Sequence, residues 1–344
     1  MLARNAEVDE NLIHLAKQYG GVFRLHKLFN EPQIVITDPK LVQSILNSYD
    51  YQGFNARSLS YDPFGSGLVR AQGSNHRRQR KLMNPLFTFT KIKEMTPTFV
   101  QGGQQLKDYC LEKIGDKEEE RIPIALLVRK ITLDIIGFNY NFNSFTSGSE
   151  LAYAYNIIGT YNTSPLYNAL IDFFPFIRKL PFSFNVRYNN SLKTIKTISE
   201  KLVIEHKKNP IRGKDLLSLL IEANETAPDN EKLTHDELIS QIKTLLTAGH
   251  ETTSISVSWA LYFLAKYPKY QDKLRDELIN AFPDRDHQPT FDEIEQLKYL
   301  DCVFKETLRV VPPGNFNVIE GFVFKKKAIG MSRPIPGIDL WVLK

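Results

Sequence analysis

A mainly α-helical fold with a small β portion is what this sequence predicts, and three observations carry the prediction. Apolar residues at helical spacing dominate from Ser74 onward. The clear strand-like runs lie within the first forty residues. One helical stretch opens near Thr234 and continues to Ala265. At about 1.5 Å per residue it would be on the order of 46 Å long, enough to cross a whole domain.

Taken in order, HLAKQYGGVFRL predicts a short helix, a turn at Gly20 and Gly21, then a strand. Ile34, Val35 and Ile36 form a second strand, after which Asp38 can cap a helix and Pro39 take its first position. Ala56 to Gly73 is rich in Gly, Ser and Pro and predicts a long loop, of the kind that is functional or mobile in a compact domain. Ile122 to Phe138 carries Leu126, Leu127, Ile131, Ile135 and Ile136 at helical spacing. Thr160 to Asn190 is aromatic and proline-bearing and is expected to be irregular. DLLSLLIEAN, from Asp215, is another helix. Thr234 and Glu237 have capping-box spacing before the longest apolar run. Pro268 starts a fresh helix, Pro283 breaks it, and EIEQLKYLDCVFKETLRV follows as one more. The tail after Pro313 is short of helical pattern.

The 344 residues can build one large domain or two ordinary ones, with 42% hydrophobic, 24% charged and 11% aromatic residues, the balance of a globular chain. A formal charge of +5 is too small to argue for nucleic acid, and the basic cluster at His76 to Lys81 has no interleaved aromatics. Cys110 and Cys302 cannot make a disulfide framework, and nothing near either reads as a zinc site; each is expected to be a small buried hydrophobe. No apolar run approaches the roughly 20 residues of a membrane span, and the N-terminus reads as neither signal peptide nor anchor.

Three constellations carry chemistry. The long helix contains LLTAGHETTSISVSWAL. Gly249 in a helix interior costs about 1 kcal/mol against Ala, so it needs a reason. It lets something flat approach or the helix open locally, or else marks a helix crossing with polar residues turned to solvent. Glu251 and Thr252 set a carboxylate beside a hydroxyl, the parts of a proton relay. His250 and Glu251 do not begin a zinc-protease motif, because Ser254 stands where the second His is needed. Next, Glu306 and Arg309 share one helical face and can pair. Finally, His76, Arg77, Arg78, Arg80 and Lys81 make a basic turn or two that is either a solvated face or an anion-binding one.

Together, and in this order, the three resemble the cytochrome P450 family, of the kind found in fungi. Gly249, Glu251, Thr252 and Thr253 match its Gly-x-Glu/Asp-Thr-Thr/Ser core. Glu306 and Arg309 match its Glu-x-x-Arg. Arg80 matches the Arg of its Trp-x-x-x-Arg, with His76 in place of Trp. The resemblance spans about Leu12 to Pro313 of a single domain, 314–344 being a divergent tail. It implies a haem-dependent monooxygenase that hydroxylates a lipophilic small molecule with electrons from an NADPH-dependent reductase. Thr252 and Glu251 would deliver protons, Ala248, Gly249 and Thr253 would line the space above the haem, and Arg80 with His76 would bind a propionate. Glu306 and Arg309 would form a buried structural pair.

The family's iron ligand is a cysteine in a Phe-x-x-Gly loop after the Glu-x-x-Arg helix, and no cysteine follows Cys302 here. The expectation for these residues is therefore a P450 fold incomplete at the C-terminus and without an N-terminal anchor, with no axial cysteine. The competing reading is a non-catalytic helical scaffold that at most binds haem or a partner. Family members usually sit on the endoplasmic reticulum facing the cytosol, and these residues carry no tether that would place this chain there.

Overall fold

The computed structural model describes residues 12–26, 30, 32–46, 65–136, 149–160, 167, 174–208, 216–284, 286–313, 316–320 and 339–343. Helix α1 (12–19) ends at Gly20, whose φ of 90° is open to glycine at little cost, and the chain turns into β1 (Val22–His26). β1 pairs antiparallel with β2 (Pro32–Ile36), and α2 (Pro39–Leu46) follows as the sequence predicts. Asp38 Oδ1 accepts from the amides of Lys40 and Leu41, both at 2.9 Å, which satisfies two donors that a helix start leaves open.

The tail, short of helical pattern in the sequence, supplies two strands. β3 (Phe316–Glu320) and β4 (Asp339–Leu343) complete a four-stranded sheet in the order β1-β2-β4-β3. β4 runs parallel to β2, with Ile34 opposite Leu340, and antiparallel to β3.

The rest is helical: α3 (Gly73–Met83), α4 (Phe89–Glu94), α5 (Thr96–Ile114), α6 (Ile124–Ile136), α7 (Glu150–Thr160), α8 (Ser183–Lys208) and α9 (Leu216–Thr226). They are followed by α10 (His235–Lys266), α11 (Pro268–Ala281), α12 (Phe291–Glu295) and α13 (Lys298–Val310). α10 has 32 residues, about 48 Å at helical rise. Its capping box is formed: Glu237 N donates to Thr234 Oγ1 at 3.3 Å and Thr234 N to Glu237 Oε2 at 2.9 Å. The main core surrounds its first half, where Ile242 and Leu246 meet Leu82 of α3, Leu133 of α6, Leu151 of α7, Ile195 of α8 and Leu220 of α9. No helix among the described residues is long and apolar enough to cross a membrane.

Two expectations on helices change. Ser183 to Asn190, read as irregular, is the first part of the 26-residue α8. Buried Asn185 donates to the carbonyls of Ile177 and Leu180, each at 2.9 Å, so the preceding 3-10 turn (Pro175–Lys179) is closed by a side chain from the helix after it. The single helix expected after Pro283 is two. Thr290 and Glu293 make a second capping box for α12. The Glu277 carboxylate of α11 accepts from Tyr299 N at 2.8 Å and Leu300 N at 2.9 Å, which starts α13 afresh. Glu277→Ala is expected to lower stability by about 1–2 kcal/mol, the cost of losing a cap. Chemical denaturation measures it, and an unchanged midpoint would show that solvent serves those amides equally well.

Candidate active site

At the middle of α10 the two sides of the helix differ. Leu246, Thr247, His250 and Ser254 are buried in the core, whereas Ala248, Thr252 and Thr253 are exposed and Gly249 and Glu251 half-buried. The open side is a strip of small residues at i, i+4 spacing, Ala248 over Thr252 and Gly249 over Thr253. The hydroxyls on it are turned inward: Thr252 Oγ1 donates to Ala248 O at 2.6 Å and Thr253 Oγ1 to Gly249 O at 2.7 Å. Such back-bonding carries polar side chains through a helix without unmet donors, and it continues at Thr244, Thr247, Ser256 and Ser258.

The helix runs through Gly249 unbroken. The bare side of the glycine is taken by α6, where an added Cβ would run into Ile136 Cδ1. Of the readings open for this glycine, the structure shows the helix crossing. The exposed side of this turn is therefore that of Ala248, Thr252 and Thr253.

Glu251 turns toward α6. Its Oε1 accepts from Arg129 Nη2 at 3.4 Å, and the two side chains are 31% and 15% exposed. Arg129 Nη1 also reaches Asn156 Oδ1 of α7 at 3.5 Å. Burial pushes the Glu251 carboxyl above its ordinary value of 4.5, and the Arg129 charge pulls partly the other way. His250, only 2% exposed, is bonded through Nδ1 to Leu246 O at 2.7 Å and lies against the Tyr155 ring at 4.6 Å. Burial holds its pKa down to about 4, so the ring is neutral at pH 7 and carries its proton on Nδ1. A cavity of about 180 Å³ opens beside them, lined by Leu126, Arg129, Leu133, Tyr155, Asn156 and His250. A mostly apolar cavity thus lies on one side of α10, beside His250 and Arg129, and the hydroxyl strip on the next.

The basic turn of α3 is divided by function. Arg78 pairs with Glu237 and donates to Lys232 O at 2.7 Å, while Lys81 meets Glu231 at 2.5 Å. Arg80 is exposed and His76 half-buried on one i, i+4 stripe, and neither side chain has a partner among the described residues. A small-residue strip on one helix, and on a helix bonded to it an Arg80 and His76 stripe with no partner among the described residues, fit a flat group bearing carboxylates, such as haem.

Other expectations are corrected. Glu306 and Arg309 do pair, through two bonds of 2.7 Å, but the side chains are 61% and 70% exposed, not interior. α13 meets α10 and α11 along the face of buried Thr307, and this pair points away from it. Cys110 is half-buried and Cys302 exposed, so neither is a core residue, and neither lies on α3 or α10. Sequence reasoning missed Arg129, although a charge pair inside the apolar run IALLVRKITLDII was its signal. Of the long loop, 56–64 lies outside the described residues and 65–71 lies as turns against α10.

A predominantly helical protein built around one domain-crossing helix, with a small sheet and an anion-ready stripe beside it, defines a class that sequence comparison makes specific. The cytochrome P450 family profile matches residues 1–324, and the chain belongs to that family. It is similar to Cytochrome P450 monooxygenase 128 of Postia placenta, 32% identical over 94% of this chain and 63% of the relative. Cytochrome P450 monooxygenase claP of Ampulloclitocybe clavipes is 33% identical over 87% and 58%, and ganoderic acid synthetase CYP5150L8 of Ganoderma lucidum 30% over 95% and 65%. The chain thus spans about three fifths of the length of the curated relatives it matches. The family match reaches eleven residues beyond Pro313, into β3 and past it. Haem is the cofactor of this family.

Proposed function

We propose that the protein is a haem-dependent monooxygenase acting on a lipophilic small molecule, supplied with electrons by an NADPH-dependent reductase. The observation that carries this reading is the exposed strip of Ala248, Thr252 and Thr253 with the half-buried carboxyl of Glu251 on the same turn of α10. Haem, when bound, would supply oxygen activation. Around it, this chain's residues bind and move protons. Arg80 and His76 would hold a propionate by charge-assisted bonds. Ala248 would keep the strip shallow enough for oxygen and substrate. Glu251, held ready to carry a proton by its raised pKa, would pass one to the Thr252 hydroxyl, which returns to Ala248 O when idle. A half-buried carboxyl beside a hydroxyl strip favours chemistry over a pure scaffold, and two of the relatives named above are monooxygenases by name.

The test is an absorption spectrum of the purified chain with haem, reduced and exposed to carbon monoxide. A Soret band at the long-wavelength position of thiolate ligation would carry the monooxygenase reading and overturn the expectation that these residues hold no axial cysteine. A band typical of imidazole ligation, or free-haem behaviour, would overturn that activity for these 344 residues and leave the scaffold reading.

A further inference from the structure

The segment before α3 lies flat on α10, and it can do so because of two glycines. A Cβ at Gly65 would stand 2.5 Å from Ser240 Oγ, and one at Gly67 would stand 2.7 Å from the Ser240 carbonyl oxygen. Gly65 also needs its φ of 60°. Between them Ser66 N donates to Ser240 Oγ at 3.1 Å. Leu68 N then donates to Gln241 Oε1 at 3.1 Å. From the other side, the Gln241 amide donates to Gln79 Oε1 at 2.6 Å, and Gln79 Nε2 donates to Ser66 O at 3.1 Å and Glu237 Oε1 at 3.2 Å. Gln79 and Gln241 are 1% and 0% exposed, so every polar atom of this ring must be met internally or left unmet at full cost. Three stretches far apart in sequence, 65–68, α3 and α10, meet in it. Gln79 sits next to Arg80, facing inward while Arg80 faces out.

We propose that Gly65-Ser66-Gly67, Gln79 and Gln241 form a latch that fixes α3 on α10, and that the two glutamines are thereby positioning residues for Arg80. The latch stands on the geometry above; the role for Arg80 rests on the haem reading. Leu82 and Met83 anchor the end of α3 by apolar packing, and Arg78 adds bonds to Glu237 and Lys232 O. The fully buried amide pair beside Arg80 adds directional bonds that hold the rotation about the helix axis, and that rotation decides where the Arg80 guanidinium points.

Two variants test it in the full chain: Gln241→Leu, which removes both amide bonds, and Gly67→Ala, which lifts the strap without touching either glutamine. In the haem-free chain, hydrogen exchange over 65–83 is expected to rise about tenfold in both variants, with α6 and α9 unchanged. Wild-type exchange rates there overturn the latch. With haem loaded, transfer to an excess of a scavenging globin is expected to be about tenfold faster for Gln241→Leu than for wild type. Leu274→Ala, a core change in α11 away from α3, lowers the thermal midpoint and should leave that transfer rate unchanged. Equal acceleration in Leu274→Ala would reduce Gln241 to a merely structural residue and overturn the positioning role. A wild-type chain that holds no haem would overturn the haem reading and the role given to Arg80, while the exchange result decides the latch by itself.

Discussion

Glu251→Gln is expected to lower turnover by about 10²-fold or more, the usual scale for removing a positioned proton carrier. The amide keeps the size and a hydrogen bond but cannot carry a proton. The physical ground is the environment: a carboxyl half-buried in α10, met by the single charge of Arg129 at 3.4 Å, has its pKa raised mainly by burial. A raised pKa also fixes the stability trend. The contribution is fully present below the ordinary carboxylate value and lost as pH rises through the folded one. Relative to wild type, the variant should therefore gain stability as pH climbs through that range, while its activity stays low at every pH. Arg129→Gln removes the opposing charge and should move the alkaline limb of the pH–rate profile upward. Turnover of Glu251→Gln at the wild-type rate would sink the relay, and a pH-independent stability difference would sink the account of the carboxyl.

What the sequence made legible was local. Asp38 before Pro39, and Thr234 three residues before Glu237, announce helix starts because the cap and the amides it satisfies lie within one turn. The length of α10 followed from an apolar pattern with no breaker until Pro268. What stayed hidden was set by partners distant in sequence. β4 becomes a strand by pairing with β2, some three hundred residues earlier. The division between α12 and α13 depends on Glu277, which belongs to another helix.

The site divides in the same way. Gly249, Glu251, Thr252, Arg80 and His76 stood out as types that needed a reason, but the reason for Gly249 is Ile136 on α6, which no window around the glycine contains. Gln79 sits among four basic residues and reads as one more solvated polar side chain. Only the fold shows it as the buried member of that turn.

His250 gives the sharpest test of the core behind the site, and it does not depend on haem. Its pKa falls from 6.5 to about 4, chiefly because burial penalises the charged ring, with Arg129 adding to the effect and the Leu246 carbonyl opposing it. A depressed folded pKa means that the stability it protects is present above 6.5. That stability is lost as pH falls toward about 4, because the unfolded chain takes up the proton first. The difference corresponds to about 3 kcal/mol, a large share of the stability of an ordinary domain. His250→Phe keeps a ring against Tyr155 and removes the proton site. Other groups titrate in the same window, Glu251 among them with the opposite sign, so the quantity that matters is the difference between the two proteins. Denaturant unfolding at pH steps from 7 to 4 should show wild type losing about 3 kcal/mol more than His250→Phe. Parallel curves would mean that the ring is protonated in the folded protein, which would require a second acceptor at Nε2 and a wetter core between α6, α7 and α10.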